Sequence, residues 1–366
     1  MLLMFSTIVP ISATTLSEKT SQPLTKGNTL YVGGLGPNNY TKIQDAINDA
    51  VAGDTISVYD DSSPYYENII IEKSITLIGE NRETTVILGD ESADGVIVNI
   101  SADDVSISGF TIQPSLGQPA GIIVSKNYTH PDYWNIEIIQ NVTIFNNIIT
   151  KTGYPGIFGM RLNHGIIYGN YIENIHGGGI ILYISSDNTI TNNVIADCSD
   201  RGIVIDGLWG PFRLLNYLNP VPENNIISQN TIRSNRWGIE LNSGPVNTKI
   251  SDNNITENQE IGLQIYDAYN TQITQNNFIK NYKNAYFATS MPLRYPRFLK
   301  NTWDNNYWGE PKNIVERIDG ALWFLLIPRI PIGISFPNFD LTQFELPWIA
   351  FDRHPAQEPY DIPLEV

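Results

Sequence analysis

Ile144-Phe-Asn-Asn147-Ile-Ile149 states a pattern, apolar-x-x-Asn-x-apolar, that returns along the chain. It recurs as Ile167-Tyr-Gly-Asn170-Tyr-Ile172, Ile190-Thr-Asn-Asn193-Val-Ile195, Ile227-Ser-Gln-Asn230-Thr-Ile232, Ile250-Ser-Asp-Asn253-Asn-Ile255 and Ile273-Thr-Gln-Asn276-Asn-Phe278. Phe298-Leu-Lys-Asn301-Thr-Trp303 reads as a seventh copy, giving Asn spacings of 23, 23, 37, 23, 23 and 25. A second strand follows each Asn by eight or nine positions, opening with Gly156-Ile157, Gly179-Ile180, Gly202-Ile203, Gly238-Ile239, Gly262-Leu263 and, in degraded form, Asn284-Ala285. A period near 23 built from short alternating strands is too short for a propeller blade and has no helix for a leucine-rich repeat. It fits an all-β coil of three short parallel strands per turn, each turn advancing by one strand spacing of ~4.8 Å. Ile and Val columns then fill the interior, and the Asn column stacks as an amide ladder. Val105 to Ile112 and Gly121 to Val124 form an earlier, looser copy with Phe110 in the Asn position.

Outward from the repeat, the two ends of the chain change character. On the N-terminal side, Thr29 to Val32 reads as a strand, and Thr41-Lys-Ile-Gln44 has capping-box spacing. A helix over about 41–52 follows, with Ile43, Ala46, Ile47, Ala50 and Val51 on one face and Gly53 at the C-terminal cap. Such a helix would plug the open end of the coil. The opening MLLMFSTIVPI and Ile11-Ser12-Ala13 fit a signal peptide over 1–13, followed by a linker over 14–28. The protein is therefore expected to be secreted or held at the cell surface. On the C-terminal side, Trp, Phe and Pro accumulate from Pro292 onwards and the period is lost, so the β-helix is assigned to 29–310 and a cap to 311–366. Stacked architectures need such caps, and two capped ends argue for a monomer.

Composition excludes several classes. With 38 acidic and 22 basic residues the net charge is −16, and no Lys/Arg cluster offers a nucleic-acid surface. The apolar run Ala321 to Ile334 is broken by Pro328 and Pro331 and falls short of the ~18 residues of a membrane span. Cys198 is the single cysteine, which excludes an internal disulfide and a multi-cysteine zinc site. The four His and four Met include no His-x-His and no Met cluster, so no metal ligand set is assigned.

Tyr40-Thr-Lys-Ile-Gln-Asp-Ala-Ile, Gly53-Asp-Thr-Ile-Ser-Val, Tyr66 to Glu80, and the closing Trp303-Asp-Asn-Asn-Tyr-Trp308-Gly carry a family resemblance. From about Thr29 to Gly309 the chain resembles the right-handed parallel β-helix proteins of the pectin-lyase-like group, especially secreted archaeal members with NosD-like repeats. That resemblance implies a right-handed single-stranded solenoid. The group contains lyases, hydrolases, esterases and glycan binders, so the implied partner is a polysaccharide or surface glycan. The leading expectation is glycan binding without catalysis; the alternatives are a hydrolase or lyase and a structural or accessory surface protein. Calcium enters only in the lyase case.

Two regions are candidate sites. The spacings Gly121 to Asn147 (26) and Gly202 to Asn230 (28) exceed the 14 of Gly156 to Asn170, so two insertions leave the same side of the coil. They carry Tyr133 and Trp134 in one, and Trp209, Phe212 and Tyr217 in the other. His164, Tyr183 and Asp187 would lie on the floor between them. Aromatic rims stack on the C–H faces of sugars, and polar floors bond hydroxyls. Alternation also puts Ile123, Phe158, Ile181 and Val204 on the outer face of the Gly-Ile strand, an apolar stripe that the insertions would equally well cover. The second region is the bend between the two strands, where Glu173, His176, Asp197, Asp200, Arg201, Arg236 and Glu240 gather from neighbouring turns. Here Asp197 and Asp200 are the candidate catalytic carboxylates, with Arg201 for charge stabilisation and His176 beside them.

Overall fold

In a computed structural model the chain winds as a parallel β-helix, and the structure describes residues 27–90, 95–126, 137–207, 221–290, 301–311, 315–325 and 343–363. Equivalent strands pair in parallel from coil to coil in three rows. Row one begins at Thr29–Val32 and Thr55–Val58, passes through Thr143–Phe145, Ile166–Tyr168 and Thr189–Thr191, and reaches Thr302–Asp304. Row two runs from Val86–Gly89 through Ile148–Thr150 to Asn277–Ile279. Row three starts at Ile69–Ile71 and includes Ala120–Val124, Ile157–Met160, Ile180–Tyr183, Arg201–Asp206, Trp237–Asn242, Ile261–Tyr266 and Lys283–Ser290. Alternation fixes the interior. Ile144, Ile167, Ile190, Ile227, Ile250 and Ile273 of row one point inward, as do Ile149, Ile172, Ile195, Ile232 and Ile255 of row two, and all are at most 1% exposed.

Short strands require sharp bends, and each bend uses the same device. A residue with left-handed backbone is followed by one whose side chain turns into the core. Between rows one and two the left-handed residues are Asn146, Gly169, Asn192, Gln229, Asp252, Gln275 and Asn305, with φ from +51° to +63°. Gly and Asn adopt this region most readily, which explains their abundance here. The inward residues that follow are Asn147, Asn170, Asn193, Asn230, Asn253, Asn276 and Asn306, none more than 1% exposed.

This is the amide ladder, and its bonding is saturated. In the rung at Asn253, Oδ1 accepts from the backbone N–H of Asn230 (3.0 Å) and from its Nδ2 (3.0 Å). Nδ2 of Asn253 donates to the carbonyls of Ile227 (2.9 Å) and Ser251 (3.0 Å) and to Oδ1 of Asn276 (2.9 Å). The ladder starts where the backbone N–H of Phe110 donates to Asn147 Oδ1 at 3.2 Å. It ends at Asp352, whose Oδ2 accepts from the backbone N–H and Nδ2 of Asn306, both at 3.0 Å.

The last copy of the repeat was expected at Phe298 to Trp303, and the register corrects it. Trp303 pairs with Ile273, so Asn306 and not Asn301 continues the column. Asn301 stands in a different ladder, on the bend between rows three and one. There Gly165 N–H donates to Asn188 Oδ1, Asn188 bonds Asn225, and Thr271 N–H donates to Asn301 Oδ1 at 2.9 Å. The third bend, between rows two and three, stacks Cys198, Asn235, Asn258 and Asn281, with Cys198 N–H donating to Asn235 Oδ1 at 3.0 Å. Cys198 is thus a core residue filling one rung, 1% exposed.

The glycines of the Gly-Ile pairs have a separate cause. A Cβ on Gly156, Gly179 or Gly202 would sit 2.7–2.8 Å from the carbonyl oxygen of the matching glycine one coil on. The coils approach too closely there for any side chain.

The N-terminal helix spans Ile43–Asp49, shorter than the 41–52 of the sequence pattern. Ile43, Ala46 and Ile47 are buried against the first coil, whereas Val51 is 61% exposed and does not join them. The capping box does not form: the N-cap is Lys42, without a side-chain bond. Instead Glu67, from the next coil, accepts from the backbone N–H groups of Ile43 (2.8 Å) and Gln44 (2.9 Å). Lys73 closes the other end, donating to the carbonyls of Ile47, Asn48 and Ala50 at 3.1, 2.7 and 2.8 Å. An anion at the N-terminus and a cation at the C-terminus match the helix dipole. A helix of seven residues is too short to persist alone, so these two ties and the buried face hold it.

At the C-terminal end the strand order was expected to stop, yet Glu316–Leu325 adds one more parallel strand to row three beside Lys283–Ser290. The segment 316–325 contains no proline, so it keeps its N–H donors. Gln343–Asp352 then pairs with it antiparallel and meets row one through Trp303. Phe278 and Trp308 stack with centroids 4.7 Å apart over the end of the core, and Trp308 Nε1 donates to Asp352 at 3.1 Å. Among the described residues no helix is long and apolar enough to cross a membrane.

Candidate functional site

The outer face of row three changes character along the axis. One outward column runs Ile123, Phe158, Ile181, Val204, Glu240, Gln264, Tyr286, in strand register. A second, two residues further along each strand, runs Met160, Tyr183, Asp206, Asn242. The first half of this face is the expected apolar stripe: Ile123, Ile181 and Val204 point outward but are at most 5% exposed. From the coil of Arg201–Asp206 onward it becomes polar while staying buried. Glu240 is 4% exposed, Gln264 7% and Asn242 8%.

Glu240 stands in the strand Trp237–Asn242 and not on the preceding bend, where its position in the sequence suggested. Arg201 opens the strand of the previous coil and reaches it, Nε of Arg201 donating to Oε2 of Glu240. The other arm of the same guanidinium, Nη1, donates to both oxygens of Asp200 at 2.8 and 2.7 Å. Its Cζ lies 4.7 Å from the centre of the Trp237 ring, which also receives Arg236 at 4.0 Å. Arg236 is in turn paired with Glu260 at 2.8 Å. One arginine is thus held by two carboxylates and an aromatic face, a geometry for which a planar guanidinium is suited.

Burial pushes the Glu240 carboxyl above its usual range, and the neighbouring Asp200 pushes the same way, while Arg201 pulls against both. The phenol of Tyr154 responds to the same cluster. Loss of water raises it first; Asp200, Asp206 and Glu240 raise it further, and Arg201 opposes them. Asp200, Arg201, Asp206 and Glu240 thus lie within electrostatic reach of the Tyr154 phenol. Gly177 allows this, since the Tyr154 ring rests where any Cβ at that position would be.

Gln264 and Asn242 are the unusual members. Each is more than nine-tenths buried, and neither side-chain amide has a hydrogen-bond partner among the described residues. Gln264 is the direct ladder neighbour of Glu240, and Asn242 follows Glu240 by two residues on the same face. Buried amides normally find partners, and these two have none among the described residues.

Of the residues expected from the sequence, Asp200 and Arg201 are brought together. Asp197 is not: it is the left-handed residue of its bend, exposed, with Arg233 Nη1 at 3.8 Å. His176 is exposed on its own bend, where its backbone N–H donates to Thr152. His164 and Asp187 are consecutive members of the left-handed column between rows three and one, continued by Asn224, Asn247 and Asn270. Asp187 Oδ1 accepts from Asn224 Nδ2 at 3.0 Å. Both residues follow the face as turn formers and are not on it; Tyr183 is on it, beside Asp206. Tyr133, Trp134, Trp209, Phe212 and Tyr217 lie outside the described residues. Gln264, Asn242, Asp206 and Tyr154 were not anticipated. Their signal was the break in the apolar stripe, where Ile203-Val-Ile-Asp206 gives way to Ile239-Glu-Leu-Asn242 and Leu263-Gln-Ile-Tyr266. No group of three or more His, Cys, Asp or Glu among the described residues is arranged to hold a metal ion.

No curated protein matches the chain by sequence. Among solved structures it is similar to the A-modules of two mannuronan C-5 epimerases of Azotobacter vinelandii. For AlgE6 the identity is 15% and the TM-score 0.52, over 76% of this chain and 81% of that one. For AlgE4 the values are 15% and 0.51, over 76% and 82%. The enzymatically active domain of tailspike protein 2 from bacteriophage CBA120 follows at 14% identity and TM-score 0.51, over 80% of this chain and 43% of that one. At such identities the likeness carries the fold alone. By sequence, residues 94–278 and 211–310 match the family described as right handed beta helix region. These spans cover more than half of the chain and coincide with the coils whose three rows and bend ladders are described above, and the protein belongs to the right-handed β-helix family.

Proposed function

We propose that the polar half of the row-three face binds a glycan, outside the cell or at its surface. The observation that carries this reading is the pair of buried amides, Gln264 and Asn242, beside Glu240 and without side-chain hydrogen bonds among the described residues. A carboxamide offers a donor and an acceptor side by side, which suits adjacent hydroxyls of a pyranose ring, and Tyr183, Tyr266 and Tyr286 stand on the same face. A face bearing Asp200, Asp206 and Glu240 with Arg201 already engaged favours glycans without carboxylates. Export is the natural setting for such a partner, and the apolar opening of the sequence supports it.

Affinity electrophoresis of the full chain in gels containing glucomannan, xylan, dextran or chitosan tests the reading. At least one gel should retard the wild type, and Gln264→Ala or Asn242→Ala should restore most of the free mobility. A wild-type chain that runs unretarded in every gel would sink it.

A further inference from the structure

Five Asn-x-Ser/Thr sequences occur, at Asn39, Asn99, Asn127, Asn141 and Asn254. This is the acceptor pattern of N-linked glycosylation, and an attached sugar has to leave the fold through solvent. Asn127 lies outside the described residues, and the coils sort the other four. Asn39 closes a tight turn: its Nδ2 donates to the carbonyl of Gly33 at 2.6 Å, and its side chain lies where a Cβ on Gly36 would be. Asn99 stands in the strand Val96–Ile100 between Ile70 and Ile123, and its Oδ1 is buried without a hydrogen-bond partner among the described residues. Asn254 lies under the C-terminal tail. Its Nδ2 donates to the carbonyl of Ile362 at 3.3 Å, and its Oδ1 accepts from Asn277 Nδ2 at 2.6 Å. A sugar on any of these three would break the turn, the sheet face or the seat of the tail.

Asn141 is placed differently. It is exposed on the bend between rows three and one, with left-handed backbone at φ +59°. Val142 is fully buried and anchors the bend, while its neighbours Asn141 and Thr143 keep access to solvent. Asp104 and His164, the equivalent bend residues one coil to either side, are exposed as well, so among the described residues nothing closes over the amide. Asn141 Nδ2 donates one hydrogen bond, to Asp104 Oδ1 at 2.9 Å. An amide nitrogen carries two hydrogens; a glycosidic bond replaces one and leaves the other for Asp104.

We propose that Asn141 is a modification site and carries an N-linked oligosaccharide. The donor is a lipid-linked oligosaccharide of the membrane that the chain crosses on export. In the step, Nδ2 of Asn141 bonds to C1 of the donor's reducing-end sugar as the bond from C1 to the lipid phosphate oxygen breaks. The electron pair of that bond leaves with the phosphate, the displaced Nδ2 proton passes to a base of the transferring enzyme, and nothing is oxidised or reduced. Thr143 completes the acceptor pattern. Its hydroxyl makes no hydrogen bond among the described residues, so the fold leaves it for that use.

The inference rests on the extracellular setting of the reading above and is independent of its binding face, so gel retardation and modification are read separately. The full chain is produced in a yeast secretory host in two forms, one with its own N-terminus alone and one preceded by a host leader. Soluble, cooperatively melting protein is collected, and a peptide:N-glycanase in heavy-oxygen water marks every asparagine that bore a sugar; mass spectrometry then locates the marks. Asn141 should be marked in both forms, and Asn39, Asn99 and Asn254 unmarked. Thr143→Val, which keeps the β-branched shape, should lose the mark at Asn141 and melt with the wild type, whereas Thr143→Ser should keep the mark. Soluble wild-type protein unmarked at Asn141, a mark that survives Thr143→Val, or Asn99 and Asn254 marked to the same extent overturns the site. Retention inside the cell of the form with its own N-terminus, while the leader form is secreted, overturns export and with it the modification, and leaves gel retardation to decide the binding face.

Discussion

Replacing Asn253 by Ala tests what the buried amide ladder is worth. The substitution removes an acceptor that serves two donors of Asn230 and a donor group that serves three acceptors. Not all are left stranded. The Asn230 amide keeps the carbonyls of Ile190 and Ser228, and Asn276 Oδ1 keeps the backbone N–H of residue 253. The carbonyl of Ser251 keeps the backbone N–H of Gln229. The backbone N–H of Asn230 loses its partner, and so does the side-chain bond to Ile227. At about 1–3 kcal/mol for each of these two buried polar groups left unpaired, the cost is about 2–6 kcal/mol. Unfolding entropy of about 2.1 cal/mol/K per residue over the 366 residues is about 0.8 kcal/mol/K, so the melting temperature should fall by about 3–8 °C.

The control is Asn247→Gly in the exposed column, where Asn247 bonds Asn224 and Asn270 in the same ladder geometry. Glycine keeps the left-handed backbone at φ +58° and removes only the amide. Water replaces the lost bonds there, so the change should stay within about 1 °C, corresponding to about 0.8 kcal/mol on the same entropy. Differential scanning fluorimetry of the three proteins decides. Equal shifts for the two variants, or an Asn253→Ala chain that melts with the wild type, would show that burial is not what gives the ladder its weight.

Two further outcomes follow from the titrating groups. The Cys198 thiol is pushed up to about 12 by burial, so at pH 8 native protein should not react with a thiol reagent, and one equivalent should be taken up after unfolding in guanidinium; rapid labelling of the native chain would contradict its place in the rung. Glu240 binds its proton more tightly folded than unfolded, because burial raises its carboxyl. Its contribution to stability is thus fully present below the unfolded carboxylate range and is lost as pH rises through the raised folded value. Glu240→Gln should flatten the corresponding part of the pH–stability curve, measured by chemical denaturation at steps from pH 4 to 8; an unchanged slope would refute the direction of the shift.

The period and the Asn column were legible because both are local: an Ile three residues before an Asn and another apolar residue two after it define a bend on their own. The final copy was placed five residues early because Asn301 also stands in a ladder, one bend away from Asn306, and the sequence does not say which bend an Asn serves. The other two ladders were hidden by mixed occupancy, since Thr152, Ile175, Cys198 and Asn235 fill equivalent rungs. The helix cap could not be read from the capping box because Glu67, its actual partner, is 24 residues from Ile43. Distance along the chain likewise separated the site. Asp200 and Arg201 are adjacent and were seen together, whereas Glu240 is 39 residues from Arg201 and only one coil away. Asp197 entered by charge alone; its exposed, left-handed position shows a turn residue.

The amide ladder has a sense of direction: every rung accepts from the coil before it and donates to the coil after it, and the series closes on the Asp352 carboxylate. Any coil can therefore receive the bonds of any other, provided the order of travel is kept. Excising residues 231–253 would bring Asn230 directly to Asn276 with no bond orphaned, and duplicating them would lengthen the rod by one step. The number of coils is thus free to drift over evolutionary time while the two ends stay unchanged. The carboxyl group of Asp352 acts as a full stop: it accepts from Asn306 and from Trp308 and has no amide with which to pass a bond on.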